Sequence, residues 1–261
     1  MKKLFLLFAA AVVLSSLAFA KPYGEKSRPD SVGDIVFADG TATAWREGLT
    51  LTDAQKKAAV AVIFYAGTEC SNGGERRVLG VGLRNATDSD NPLQWAKSNA
   101  GFGKNFIAIQ CTPSESGEEK ASTATFTGDL DGSDNWQALC ETVDDWKTGG
   151  NYPAWEWVNA YAKNNALSGE YARGWYLPTV AELCMLYRAK DTVNAALETA
   201  DGTKIADTVY WSSSQYSSNS HMAWIVRFSD GTLDDFGKNF IYLSVCAVRA
   251  FNGEEKTMTV R

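Results

Sequence analysis

The sequence predicts an α+β domain, and three observations predict it. Val- and Ile-rich apolar runs lie early, over residues 58–65 and 77–83. Helical spacing governs the middle, in Trp136, Leu139, Cys140, Val143 and Trp146 and again in Ala154, Trp157, Val158 and Tyr161. Strand patterning returns at the end, where Trp224, Val226 and Phe228 alternate with Ile225, Arg227 and Ser229 as a half-buried strand, and residues 243–251 are largely apolar. Terminal strands with helices between them are expected to pair in one sheet.

Residues 1–20 read as an export signal. Lys2 and Lys3 form its positive end, residues 4–17 its apolar run, and Ala18-Phe19-Ala20 a small-x-small cleavage site. The run is too short for a comfortable membrane span, so no transmembrane span is expected. The first cysteine is Cys70, so the cleavage point lacks the Cys of a lipid anchor. The expectation is a soluble exported protein, in the periplasm or at the cell surface; an uncleaved anchor is the alternative.

Residues 21–31 are polar, with two prolines, and read as a flexible entry. A short strand over 32–37 follows, with a turn at Asp39-Gly40. Thr52-Asp53 suits a helix entry before the two apolar strands. Residues 112–135, rich in Ser, Thr, Gly, Glu and Asp, read as a long loop. Pro153 suits a first helical turn. Thr179-x-x-Glu182 is a capping box directly after Pro178, heading a stripe of Leu183, Cys184, Leu186 and Tyr187. Ser229-Asp230-Gly231-Thr232 reads as a hairpin turn. The chain shows no repeat and one domain, over 32–252, with 253–261 as a tail.

Charge and composition narrow the function. Without Lys2 and Lys3, 23 of the 25 basic residues face 31 acidic ones. No basic cluster offsets that balance, so a nucleic-acid partner is not expected. The five cysteines (Cys70, Cys111, Cys140, Cys184, Cys246) are widely spaced with no CxxC, and buried thiols are favoured over disulfides. His221 is the single histidine, so a catalytic zinc site of the common types has no second His. Ser212, Ser213 and Ser214 lie near it without a Gly-x-Ser-x-Gly elbow. No Walker or Rossmann glycine pattern occurs. Residues 129–135 have calcium-like oxygen density, but their Gly is misplaced for an EF-hand and the twelfth position is Cys140. A solvated acidic loop capping the next helix is the favoured reading there. No cofactor and no metal are expected.

The displayed side chains are more informative. Residues 232–242 mix Tyr, Phe, Asn and Asp, the chemistry of paratopes, in which rigid aromatic area is joined to adaptable hydrogen bonding.

The residues 174–183 (Gly-Trp-Tyr-Leu-Pro-Thr-Val-Ala-Glu-Leu), with Tyr210-Trp211-Ser212-Ser213-Ser214 and Val248-Arg249-Ala250-Phe251, resemble the Lcl C-terminal domain family. Within it, the chain is similar to the Treponema variable-protein group, targets of diversity-generating retroelements. The match is strong over 150–251 and loose over 32–149. The resemblance implies a C-type-lectin-like fold of the formylglycine-generating-enzyme subtype with a C-terminal ligand-binding face. By position that face would hold Gln215, Tyr216, Ser218, His221, Arg227, Ser229, Thr232, Asp234, Asp235, Phe236, Lys238, Asn239, Phe240 and Tyr242. Trp175, Leu177, Pro178, Glu182, Trp211, Trp224, Phe228 and Arg249 would be framework, with Arg249 an anchor for a carboxylate or for loop carbonyls. The Glu-Pro-Asn and Trp-Asn-Asp motifs of calcium-dependent sugar binders are absent, so sugar binding is not implied. The expected function is non-enzymatic binding of a protein or surface ligand. The alternatives are an oxidase of the formylglycine-generating type, for which only Cys184 and Cys246 are at hand in the C-terminal part, and a structural envelope component.

Overall fold

A computed structural model describes residues 22–86, 93–114, 120–143, 149–241 and 243–251. The export signal, the tail, Trp146 and Tyr242 lie outside the described residues.

β1 (Asp34–Phe37) and β2 (Ala42–Ala44) form a hairpin around Gly40, whose φ of +83° suits a residue without a Cβ. α1 (Asp53–Ala58) starts at a capping box formed by Thr52 and Gln55 and runs straight into β3 (Ala59–Gly67). β3 pairs antiparallel with β1 and with β4 (Arg77–Ala86). β5 (Cys111–Pro113) and β6 (Phe126–Gly128) make a small ribbon where the composition suggested only loop. α2 (Asn135–Thr142), α3 (Pro153–Asn159) and α4 (Tyr161–Asn164) follow, with Pro153 in the first turn of α3.

β7 (Trp175–Tyr176) leads into α5 (Val180–Arg188), whose Thr179/Glu182 capping box forms as the sequence predicts. α6 (Lys190–Thr199) adds a helix that buries Val193, Ala196 and Leu197. β8 (Val209–Gln215), β9 (Met222–Arg227) and β10 (Leu233–Gly237) form a three-stranded antiparallel sheet in the order β10-β9-β8. β11 (Val245–Ala250) joins the larger sheet, ordered β2-β1-β3-β4-β11-β7. The result is a mixed α and β architecture on antiparallel sheets.

Both sheets separate two apolar cores. One contains Ile35, Phe37, Val62, Phe64, Leu183, Leu197, Trp224, Val226 and Phe228. The other contains Val36, Ala61, Ile63, Trp95, Trp155, Trp211 and Ile225. Alternate residues of each strand therefore reach opposite cores, which is why strands 58–65 and 77–83 read as continuous apolar runs. The same arrangement corrects the expected half-buried strand: Ile225 is fully buried in the second core.

Residues 22–31 are not a free entry. Lys26 exchanges main-chain bonds with Ala42 at 2.8 and 3.0 Å, extending the edge of the large sheet. The Lys26 ammonium lies 2.9 Å from the fully buried Asp34 carboxylate, which also accepts from the amides of Asp30 and Ser31. A polar composition predicted mobility here, but one buried carboxylate is enough to fix the segment as a strap.

Candidate functional site

The β9–β10 hairpin carries the expected face. Gly231, with φ +74°, turns the chain between the strands, and Arg227 donates its amide to the Thr232 carbonyl. The pairing sets Asp234 opposite Ile225 and Phe236 opposite Ala223. Side chains alternate across a strand, so Asp234 and Phe236 share one side and Leu233 and Asp235 the other.

Four of the expected residues come together on the first side. Arg227 meets Asp234 at 3.2 Å, and its guanidinium lies 5.2 Å over the Phe236 ring. Phe236 in turn meets Phe240 edge-on at 5.0 Å, and Phe240 is 46% exposed. Asn239 closes this end: its side chain donates to Ser98 at 3.0 Å, and its carbonyl accepts from Gln94 at 2.6 Å. His221 is exposed and packs edge-on against Phe102 at 4.8 Å.

Other expected residues lie apart. Ser218 and Ser229 are exposed. Thr232 accepts from the Lys120 ammonium at 2.9 Å on the far edge of β10. Tyr216 packs on Trp224 at 5.0 Å, against the first core. Burial and the neighbouring Asp234 raise the Asp235 carboxyl above the usual carboxylate range.

Gln215 and Lys238 depart most from the expectation, because both are fully buried. Gln215 donates to Asn105 at 2.5 Å and accepts from the Phe106 amide at 2.9 Å and from Lys238 at 2.7 Å. They underpin the face instead of forming its surface. The reason is the segment around residues 93–110, which packs over them with Trp95 and Phe106. The one local sign of this in the sequence is three large aromatics, Trp95, Phe102 and Phe106, within a largely polar stretch.

Trp211 and Arg249, expected as framework, are both buried. Trp211 donates its indole N–H to the Leu93 carbonyl at 2.8 Å. Arg249, 6% exposed, donates to the carbonyls of Arg173 and Glu170 at 3.1 and 3.2 Å and lies over the neighbouring Tyr171 and Phe251 rings, so loop carbonyls are among its partners. Ser212, Ser213 and Ser214 are wholly buried: Ser212 donates to the Trp224 carbonyl, and Ser213 and Ser214 accept from Asn135 and the Val180 amide. They tie β8 to β9, α2 and α5.

The five cysteines are free thiols, and all but Cys140 are buried. Burial pushes the Cys111 and Cys246 thiols up to about 12 and Cys140 up to about 11. Among the described residues no group of three His, Cys, Asp or Glu is placed to hold a metal ion. In the acidic loop, Asp129 accepts from Asn72 at 2.7 Å and burial pushes its carboxyl up to about 6. No described helix is long and apolar enough to cross a membrane. Two surface depressions, of about 410 and 560 Å³, lie elsewhere, one beside α1 and α4 and one between α2 and Ile107.

No family model matches the chain. No curated protein matches it. Among solved structures it is similar to a fimbrial protein from Bacteroides ovatus, with a TM-score of 0.55 and 15% identity, over 84% of this chain and 48% of that one. The chain thus spans about half the length of the fimbrial protein. At that identity the likeness bears on fold alone.

Proposed function

We propose that this chain is an exported, non-enzymatic binding protein with a C-type-lectin-like scaffold of the formylglycine-generating-enzyme subtype. Its recognition face is the first side of the β9–β10 hairpin with the residues that follow it. The observation that carries this reading is the stack of Arg227, Phe236 and half-exposed Phe240, with Asp234 beside it. An exposed aromatic backed by a second aromatic and a cation is a preorganised anchor, since little side-chain entropy remains to be lost on contact. The buried, high-titrating thiols favour this reading over an oxidase, which needs a reactive thiolate.

A naive displayed peptide library provides a test without a known ligand. Panned against the intact protein, it should enrich peptides that protect residues 221–240 from hydrogen exchange. Those peptides should lose binding to the F236A/F240A double variant by at least tenfold. Enriched peptides that map elsewhere and bind the double variant equally well would remove the assignment.

The likeness to a fimbrial protein favours a second reading, a structural component of a surface appendage. It separates from the first by self-association. An appendage subunit forms concentration-dependent oligomers in sedimentation, whereas a display protein stays monomeric while retaining peptide binding.

A further inference from the structure

Lys238 follows β10 at the open end of the β9–β10 hairpin, away from the Gly231 turn, and its side chain is fully buried. A lysine withdrawn from water normally keeps a carboxylate beside it, because a buried charge without a counter-charge is costly. The Lys238 ammonium nitrogen instead donates to the Lys104 carbonyl at 2.9 Å and to the Gln215 side-chain oxygen at 2.7 Å. It lies 4.6 Å over Trp95 and 4.7 Å over Phe106. Both acceptors are uncharged, and two of them match the two N–H groups of a neutral amine.

Among the described residues, the elements around it supply no acid. β8 contributes Gln215. The segment 93–106 contributes two aromatic rings and the carbonyl of Lys104, whose own side chain has the same sign. The approach to β9 contributes the His221 carbonyl, which accepts the Lys238 amide at 2.9 Å, while the His221 ring turns outward onto Phe102. On the hairpin itself Asp234 is held by Arg227, and Asp235 belongs to the other side of β10. The aromatic rings favour the cation, but burial outweighs them and brings the amine down to about 7.

We propose that Lys238 is a proton-operated latch: as a neutral amine it pins the open end of the β9–β10 hairpin to segment 93–106 and to the end of β8, and taking up a proton loosens that three-way junction. The main-chain bonds converge on the same residue, since Ala96 donates to the Lys238 carbonyl at 2.9 Å. The sign follows from proton binding. The opened junction holds its proton up to the ordinary lysine range, and the closed one releases it above about 7. Closing therefore strengthens as pH rises from about 7 toward about 10.5, by about tenfold per unit, and levels off below. That the latch also tunes ligand binding rests on the hairpin being the recognition face; the latch itself does not.

The test is a titration of the intact protein carrying lysine labelled with carbon-13 at Cε, followed by NMR from pH 6 to 11. One lysine, absent from the spectrum of K238M and assigned through bonds, should titrate near neutrality. Hydrogen exchange of residues 95–106, corrected for its intrinsic pH dependence, should slow about tenfold per unit between pH 7.5 and 9.5 in the wild type and in H221N, but not in K238M. A Lys238 midpoint in the ordinary lysine range overturns the proposal, as does the same exchange trend in K238M. If K238M does not fold, the through-bond assignment in the wild type decides. Peptides that bind away from the hairpin would remove the recognition reading and leave the latch standing.

Discussion

Replacing Arg77 with methionine tests how this fold is held at its centre. Arg77 is 4% exposed at the start of β4. It donates to the Cys70 carbonyl at 2.6 Å, to Glu182 at 2.8 Å and to the Tyr176 hydroxyl at 2.9 Å, and it pairs with Asp131 at 2.7 Å. Glu182 is fully buried, and besides Arg77 it accepts from Tyr176 and from the Thr179 amide, each at 2.9 Å. Methionine keeps the apolar stem and deletes the charge. Each hydrogen bond to a charged partner contributes roughly 1.5–3 kcal/mol, and two carboxylates lose one. Breaking a buried pair from one side costs about 3–5 kcal/mol, and the stranded Glu182 limits the loss by taking up a proton. The expected deficit at pH 8 is therefore about 3–5 kcal/mol.

The pH dependence has a definite sign. Burial pushes Glu182 up to about 7 even with Arg77 present, and removing the cation pushes it further. A carboxyl raised on folding contributes stability below its unfolded value and loses it as pH rises through its folded value. The R77M deficit should thus be smaller at pH 5 than at pH 8. Urea unfolding followed by tryptophan fluorescence measures both. A deficit under about 1 kcal/mol at pH 8, or one identical at the two pH values, refutes the reasoning.

Three further outcomes are expected. In G24A the new Cβ would lie 2.5 Å from the Ala42 backbone, so the strap should detach; the amides of Lys26 and Ala42 lose exchange protection while those of β3 keep theirs, and an unchanged Ala42 amide counts against the strap. With a thiol reagent at pH 8, only the half-buried Cys140 should react without denaturant, and slowly, because its thiol titrates near 11; a second, fast-reacting cysteine would reopen the oxidase reading. F240A should change stability by less than about 0.5 kcal/mol in thermal melting, because its ring is already 46% exposed; a larger loss would make Phe240 a packing residue and not a displayed one.

Much of the scaffold was legible because local chemistry and tertiary role agree. The Thr179/Glu182 box caps α5, Gly231 turns the hairpin, and apolar runs mark strands buried on both faces. What was not legible depends on partners distant in sequence. Gln215 and Lys238 read as displayed polar residues, because nothing near them in the chain reveals that Trp95 and Phe106 close over them. Arg77 opens an apolar strand, yet its partner Glu182 was identifiable only as a helix cap. The strap reads as solvent-loving because its buried carboxylate anchor, Asp34, lies just outside it in sequence.

The position of β11 has a consequence for how the molecule comes into being. This strand lies between β4 and β7, pairing Ala250 with Leu79 on one flank and Arg249 with Trp175 on the other. The large sheet therefore stays split until residues 245–250 have left the ribosome. Nascent chain shorter than that has no closed sheet to resist threading, and closure must bring together segments made far apart in time. Folding should accordingly be slow and all at once, governed by the arrival of one six-residue strand.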